Sequence, residues 1–498
     1  MHEHVGQGFG DRCCYRDPVA GEVSYARLSD AVTAFAGHLA EQGMGPGKYG
    51  IVVSDDAIEA VVAIIGLWEL GCIPVPVSPM LTDTEIGFMA ADCGATLMYL
   101  GVPEPRRSRL RALPGPRRWI EPAAATRALS ADGPGAAHGP DPGGLATESP
   151  DAEVLLQYTS GSTGTPKGVR QSLGGLLAIL DGFGTAVPLR PEDVVLSTAK
   201  LSFGYGLGSS LLWPLGARAQ AVLRPGPADV PAVLTAIRKH RPTVLCTVPR
   251  MYAMLADRAS DRGDFGSVRL ALSAGEHLPD ALARRFSTSF QVPMLDALGA
   301  TEVGHIVLVR DATAGDGALP VPSARVSVRD ESGRQVAAGE LGRLHVAGPT
   351  VALGYLRRPA ESAAVFADGG AYTQDIVRGS ADGRLSYVCR ADDLLNVGGF
   401  KISPAEVEAV AGAAPGVAAC AVIGERDGNG LDQIVAYVVP AAGSEPATVR
   451  RAVAAAARGQ LAAYKRPARV EVTDALPTTS TGKLARYRLR ARERAGRP

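Results

Sequence analysis

The chain has 498 residues, too many for one ordinary hydrophobic core, so two or more domains are expected. Lys plus Arg and Asp plus Glu each number 51 and cancel, while 46% of the residues are hydrophobic; this excludes a disordered chain and leaves no global field for nucleic acid or an anionic membrane. The seven cysteines are odd in number and show no CxxC spacing, which argues against a disulfide framework or a zinc site and for a reducing cytoplasm.

The N-terminus lacks a basic segment followed by an apolar one, so no secretory signal is read there. Apolar residues then recur at helical spacing from Tyr25 until Gly43-Met-Gly-Pro-Gly47 ends the run. A short apolar run from Tyr49 to Val53 predicts a buried strand. Residues 57–77 are apolar but broken by Glu59, Glu69, Pro74 and Pro76, which predicts a helix and a strand instead of a membrane span. Leu97–Leu100 predicts a further strand. Strands alternating with helices imply an α/β fold with a largely parallel sheet.

Residues 102–150, rich in Pro, Gly, Ala and Arg, interrupt the alternation and are read as a surface excursion. It resumes at Val154-Leu-Leu156, a strand running into a Gly/Ser/Thr-rich loop. A mostly β portion is expected from Ala324 to Val351, with turns at Asp330–Gly333 and Ala338–Glu340. Beyond Arg390 the pattern is a small α+β unit: a helix from Pro404, strands near 417–423 and 434–439, and a helix from Thr448. The expected division is a large domain over 1–391 and a small one over 392–498. Near the end Lys and Arg dominate, which fits either a solvated basic tail or proximity to a polyanion.

The most informative segment is Tyr158-Thr-Ser-Gly-Ser-Thr-Gly-Thr-Pro-Lys-Gly168. Glycines let successive N–H groups converge on an anion, hydroxyls add donors and Lys167 adds charge. It is not a Walker A loop, because the spacing from Gly161 to Lys167 is wrong and Pro166 stands where glycine is required. The segment resembles the phosphate loop of the adenylate-forming superfamily of acyl-CoA synthetases, peptide-synthetase adenylation domains and luciferases. Four further stretches occur in that family's order: Ser273-Ala-Gly-Glu276, Gly299-Ala-Thr-Glu302, Tyr372-Thr-Gln-Asp375 with Arg390-Ala-Asp-Asp393, and Pro477-Thr-Thr-Ser-Thr-Gly-Lys483.

The resemblance implies a two-domain enzyme with a large N-terminal domain of layered α/β subdomains plus a β-rich subdomain, and a small mobile C-terminal lid. It implies attack of a carboxylate on the α-phosphate of ATP. Thr159, Ser160, Gly161, Ser162, Thr163, Gly164 and Lys167 would hold the outer phosphates, Thr301 the α-phosphate, and Glu302 would help hold Mg²⁺. Asp375 would accept from the ribose hydroxyls, Arg390 would contact ribose or phosphate, and the Gly275-Glu276 backbone would lie against adenine. Lys483 would bridge the two anionic reactants. Asp392 matches the hinge on which the small domain swings; Gly399 and Lys401 would then meet coenzyme A. Gln374 departs from the family's usual glycine.

Lys200–Gly208 and Thr301–Ile306 resemble the benzoate- and hydroxybenzoate-CoA ligase branch, where the equivalents of Tyr205, His305 and Ile306 line a flat pocket beside Gly299. The expected substrate is therefore a small aromatic carboxylic acid, with ATP, Mg²⁺ and coenzyme A. The rivals are an aryl-AMP ligase loading a separate acyl carrier protein or an amine, and a non-catalytic nucleotide-binding module. Nucleic-acid and membrane partners are not expected, and oligomeric state is not legible.

Overall fold

A computed structural model of the chain describes residues 1–116, 118–130, 149–159, 166–259, 262–315, 317–397, 400–426, 432–478, 484–486 and 488–490. The fold is α/β, with a large N-terminal part and a smaller C-terminal one. The chain divides into two compact units: Met1–Ser327 with His345–Thr373 and Ser380–Leu385, and Val328–Leu344 with Gln374–Gly379 and Ser386–Pro498. The second unit takes in more than the residues beyond 392. Strand order in the four-stranded sheet, Arg325–Arg329, Leu341–Ala347, Ala371–Gly379, Leu385–Arg390, ties those earlier segments together.

In the first unit the helix Tyr25–Glu41 begins where Ser24 caps the Arg27 N–H at 3.2 Å. It buries Leu28, Val32, Phe35 and Leu39, the i, i+4, i+7, i+11 stripe that its sequence spacing requires. A parallel sheet follows in the order Ile73–Val77, Tyr49–Ser54, Leu97–Gly101, Arg118–Ile120. Pro74 and Pro76 are accommodated because their strand is at the edge, where a missing N–H costs no ladder bond.

The reading of residues 102–150 as an excursion is corrected over 102–130. Helices Arg106–Arg111 and Pro122–Ser130 flank the strand Arg118–Ile120. Long-range bonds that periodicity does not reveal hold them: Arg106 pairs with Asp83 at 3.0 Å, Arg107 with Glu121 at 3.0 Å, and Arg27 Nε donates to Leu129 O at 3.0 Å. Residues 131–148 lie outside the described residues.

A nine-stranded sheet forms the rest of this unit's framework, in the order Leu319–Pro320, Ile306–Asp311, Met294–Gly299, Leu270–Ala274, Val244–Thr247, Val194–Ser197, Gln220–Val222, Cys13–Asp17, Gly21–Ser24. From Met294–Gly299 to Cys13–Asp17 every neighbour is parallel, and the strands beyond each end run antiparallel. The central parallel strands Val194–Ser197, Val244–Thr247 and Leu270–Ala274 are wholly buried and largely apolar. Their carboxyl ends lead into the segments holding Tyr205, Gly275 and Thr301, the edge where open α/β sheets place ligands.

The second unit contains the hairpin Val417–Arg426 and Asp432–Pro440, with Arg469–Val472 parallel to the latter and helices Pro404–Gly412 and Pro446–Gln460. Val407, Val422, Ile434 and Ala457 form part of its core. Among the described residues no helix is long and apolar enough to cross a membrane.

Candidate active site

The strands Glu153–Thr159 and Lys167–Ser172 pair antiparallel, with Thr159 opposite Lys167. This pairing frames the Gly/Ser/Thr-rich loop; Ser160, Gly161, Ser162, Thr163 and Gly164 themselves lie outside the described residues. On the far side of Lys167–Ser172 runs an extended segment. Leu356 N donates to Gly168 O at 2.8 Å, Arg170 N to Gly354 O at 3.0 Å, and Leu353 N to Arg170 O at 2.8 Å. Ladder-like bonding of this kind sets Tyr355 beside Lys167, whose ammonium stands 5.4 Å from the Tyr355 ring centroid, within cation–π range.

Tyr355 OH donates to Glu302 Oε1 at 2.8 Å. Two more bonds hold the Thr301-Glu302 backbone: Gln171 Nε2 donates to Thr301 O at 2.6 Å and Ala352 N donates to Glu302 O at 3.0 Å. Lys167 and the adjacent pair Thr301-Glu302, far from it in sequence, are thus assembled on one framework. Tyr355 and Gln171 were not singled out from sequence. The one local sign at Tyr355 is its place after Gly354, whose φ of +118° favours glycine.

Glu302 offers a hard carboxylate oxygen suited to Mg²⁺. Among the described residues no three or more His, Cys, Asp or Glu side chains converge as a metal cage. That donor set fits a cation that arrives with phosphate oxygens of its own, as Mg²⁺ does in nucleotide sites.

Gly299, His305 and Ile306 belong to one doubled-back loop. The short 3₁₀ turn Thr301–Val303 is followed by Gly304 at φ +79°, and Gly299 pairs with Ile306. A Cβ on Gly299 would meet His305 O at 2.2 Å, so only glycine permits this approach. Tyr205, in the helical turn Gly204–Leu207, donates its phenol to Leu272 O at 2.8 Å. Burial holds that phenol protonated. The His305 ring lies between Phe183, 5.0 Å away edge-on, and Tyr205, 6.5 Å away. Burial pulls the His305 pKa down to about 4 against the smaller, opposing effect of the nearby Tyr205 backbone, so the imidazole is neutral at pH 7. Ile306 and Tyr205 join the same apolar cluster. Tyr205, Gly299, His305 and Ile306 are therefore brought together.

Gly275 follows the strand Leu270–Ala274 at φ +89°, again a conformation that favours glycine, and Glu276 comes next, half-buried.

In the second unit Asp375 is 4% exposed, and Arg390 Nη1 donates to its Oδ1 at 3.0 Å. Tyr387 is close by, its phenol pushed up by burial and then by the Asp375 charge. Gln374 has φ +61°, the left-handed region that the family's glycine would occupy freely. The backbone of Asp392 lies in the 3₁₀ turn Ala391–Asp393. Its neighbour Asp393 is held by Arg486 at 3.1 Å and Arg490 at 3.0 Å, and Arg486 also pairs with Glu408 at 2.8 Å. Gly399, Lys483 and the side chains of Asp392 and Lys401 lie outside the described residues.

Comparison with known proteins shows the family of the chain. The family model described as AMP-binding enzyme matches residues 2–356, and the AMP-binding enzyme C-terminal domain matches 406–483. A benzoate–CoA ligase of Thauera aromatica is 33% identical over 97% of this chain and 93% of its own length. A benzoate CoA ligase from Burkholderia xenovorans LB400 superposes with a TM-score of 0.87 at 29% identity, covering 98% of both chains. The anthranilate CoA ligase AuaEII in complex with anthranoyl-AMP does so with a TM-score of 0.89 at 28% identity, covering 99% of this chain and 96% of its own. The phosphate-loop frame and the doubled-back Gly299–Ile306 loop thus occur in a chain that matches from end to end, and it belongs to the AMP-binding enzyme family, the adenylate-forming superfamily.

Proposed function

We propose that the protein uses ATP to activate a benzoate-like aromatic acid and then joins the acyl group to coenzyme A. The observation that carries this reading is the Gly299–Ile306 loop. It sets a wall of His305 and Ile306, facing Tyr205, within six residues of the carboxylate of Glu302. A flat ring fits beside such a wall, with its carboxylate towards the phosphate side.

In the first step a carboxylate oxygen of the acid attacks the α-phosphorus. The bond from that phosphorus to the bridging oxygen breaks, and pyrophosphate leaves with the electron pair. Two anions must meet, so oriented donors and cations are needed where charge accumulates. We assign Thr159 to Gly164 and Lys167 to the outer phosphates, Thr301 to the α-phosphate, and Gly275-Glu276 to adenine. Asp375 and Arg390 are assigned to the ribose side. Mg²⁺, held through Glu302 and phosphate oxygens, supplies further charge neutralisation. Glu302 is oriented for this by the Tyr355 hydroxyl. Lys483 is assigned to the space between carboxylate and α-phosphate.

In the second step the coenzyme A sulfur attacks the acyl carbon and AMP leaves. Gly399 and Lys401 are assigned to coenzyme A, and Asp392, which divides the proposed domains 1–391 and 392–498, to the pivot. Seven unpaired cysteines support a cytoplasmic setting.

ATP–pyrophosphate exchange across benzoates and alkanoates tests the first step, and loss of free thiol on adding coenzyme A tests the second. Exchange with alkanoates alone would sink the aromatic assignment. Exchange without thiol loss would transfer the second step to a carrier protein or amine.

A further inference from the structure

Asp92 stands near the end of the helix Asp83–Cys93, outside every segment assigned above to a substrate. Its side chain is 8% exposed, and a carboxylate so buried needs partners on both oxygens. The two partners come from opposite flanks of the phosphate loop. Oδ2 accepts from the Tyr158 hydroxyl at 2.8 Å, and Oδ1 accepts from Arg358 Nη2 at 2.9 Å. Tyr158 precedes Thr159, where the strand Glu153–Thr159 runs into the loop. Arg358 closely follows Tyr355-Leu356, in the segment bonded to the strand that leaves the loop.

Further contacts tighten this arrangement. Arg357 Nη1 donates to Asp92 O at 2.8 Å, and Arg357 itself holds φ +52°, a left-handed conformation uncommon for arginine. The chain thus turns back onto the helix end directly after Leu356. Tyr158 also reaches Met89 O at 3.3 Å, and burial, then Cys93 and Asp92, keep its phenol protonated as a donor. Gly168 lies opposite Tyr158, and a Cβ there would stand only 3.3 Å from Tyr158 Cζ. Glycine at this position therefore lets the ring pass over the neighbouring strand. Side chains alternate along a strand, so Tyr158 points away from the face that Thr159 and Lys167 share. The partners of Asp92 include none of the residues assigned to ATP.

We propose that Asp92 is a positioning residue for the adenylation step, joining Tyr158 to Arg358 and so fixing the spacing of the phosphate-loop flanks. Tyr355 lies within the segment so held, and its contacts with Lys167 and Glu302 follow from that placement. This rests on the adenylating function proposed above and adds a residue remote from the reactants.

The clamp matters because the donors of such a loop are backbone N–H and hydroxyl groups, whose aim follows the strands that carry them. A displaced flank misdirects several donors at once, and a misplacement of about 1 Å costs on the order of 10²-fold in rate. Only the first step uses the outer phosphates. Thioester formation from a ready-made acyl-AMP does not.

The test compares the two half-reactions of the full-length protein. Asp92→Asn replaces one carboxylate oxygen by an amide, and Tyr158→Phe removes one hydroxyl while keeping the ring. In pyrophosphate exchange both are expected to lower kcat/KM for MgATP, Asp92→Asn by about tenfold or more, with KM for the acid within about twofold of wild type. Conversion of supplied aryl-AMP and coenzyme A to thioester is expected within about twofold of the wild-type rate. The double variant should match Asp92→Asn, because both changes cut one clamp. Unchanged exchange in both single variants overturns the proposal. So does an equal loss in the two half-reactions, which marks a merely structural role, and so do losses that multiply in the double variant. If Asp92→Asn does not fold, Tyr158→Phe against wild type carries the same comparison of half-reactions. Wild-type protein that exchanges with no carboxylic acid defeats the adenylation reading itself; wild-type exchange matched by both variants defeats this inference alone.

Discussion

The Tyr355 phenol donates to the Glu302 carboxylate at 2.8 Å, while the face of the same ring receives the Lys167 ammonium at 5.4 Å. One side chain therefore sets both the direction of the proposed Mg²⁺-binding acid and the position of a phosphate-binding cation. Tyr355→Phe keeps the ring and deletes the donor. Hydrogen bonds to charged groups contribute about 1.5–3 kcal/mol. The variant should lose roughly ten- to a hundredfold in kcat/KM for pyrophosphate exchange and need more Mg²⁺ for half-maximal rate. An unchanged Mg²⁺ dependence would show that the phenol does not orient Glu302.

Lys483→Ala should reduce acyl-AMP formation by about 10²–10³-fold, the scale seen when a transition-state donor is removed. Its urea unfolding midpoint should match wild type. Full exchange activity in the variant would falsify the assignment.

His305 carries a pH signature. Its folded pKa, about 4, lies below the ordinary 6.5, so from pH 6.5 downward the unfolded chain takes up a proton that the folded chain refuses. Stability is therefore highest above pH 6.5 and falls on acidification towards pH 4. About 2 kcal/mol should be lost at pH 5 through this group. Asp56 opposes the trend, because burial raises its pKa to about 6 and the folded state gains a proton as pH falls. Comparing wild type with His305→Phe cancels the Asp56 contribution. Urea titrations at pH 7 and pH 5 should show the smaller acid loss in the variant; equal losses would mean that the imidazole titrates normally.

Gln374 holds a left-handed φ of +61° next to the buried Asp375. Such a conformation costs an L-residue about 1–2 kcal/mol, which glycine avoids at some expense in unfolded-state entropy. Gln374→Gly should raise stability by about 1 kcal/mol or slightly less. Denaturant unfolding measures this, and a destabilised variant would mean that the Gln374 side chain makes a compensating contact.

Arg486 spans Asp393 at 3.1 Å and Glu408 at 2.8 and 2.9 Å, with all three side chains largely buried. Removing it strips Glu408 of this partner and leaves Asp393 with Arg490 alone. Arg486→Ala should cost about 2–4 kcal/mol, and Arg486→Lys should recover only part of this, because lysine lacks the planar fork. Limited proteolysis followed by mass mapping should show new cuts within the Pro404–Gly412 region of the alanine variant.

The legible features were those carried by local rules. Phosphate-loop composition, glycines at forced turns and the 3.6- and 2-residue periodicities all lie within a few residues of each other along the chain. The strands at Tyr49 and Leu97 could be read this way, whereas Gly275 was read through the family resemblance of Ser273–Glu276. Residues 106–130 could not, since Pro and Arg obscure their periodicity and their anchors, Asp83 and Arg27, come from other elements. Tyr355 stayed hidden for a related reason. Only the bonding of Gly354 and Leu356 to the strand Lys167–Ser172 places it beside Lys167.

The sequence by itself determined the α/β class, the family and the order of the chemical motifs, because each of these is written in residue types at short spacings. Which donor orients Glu302 and whether His305 is charged were decided only by the tertiary structure. Those properties depend on burial and on partners from distant strands, and the free energy of a buried polar atom is set by what surrounds it in space.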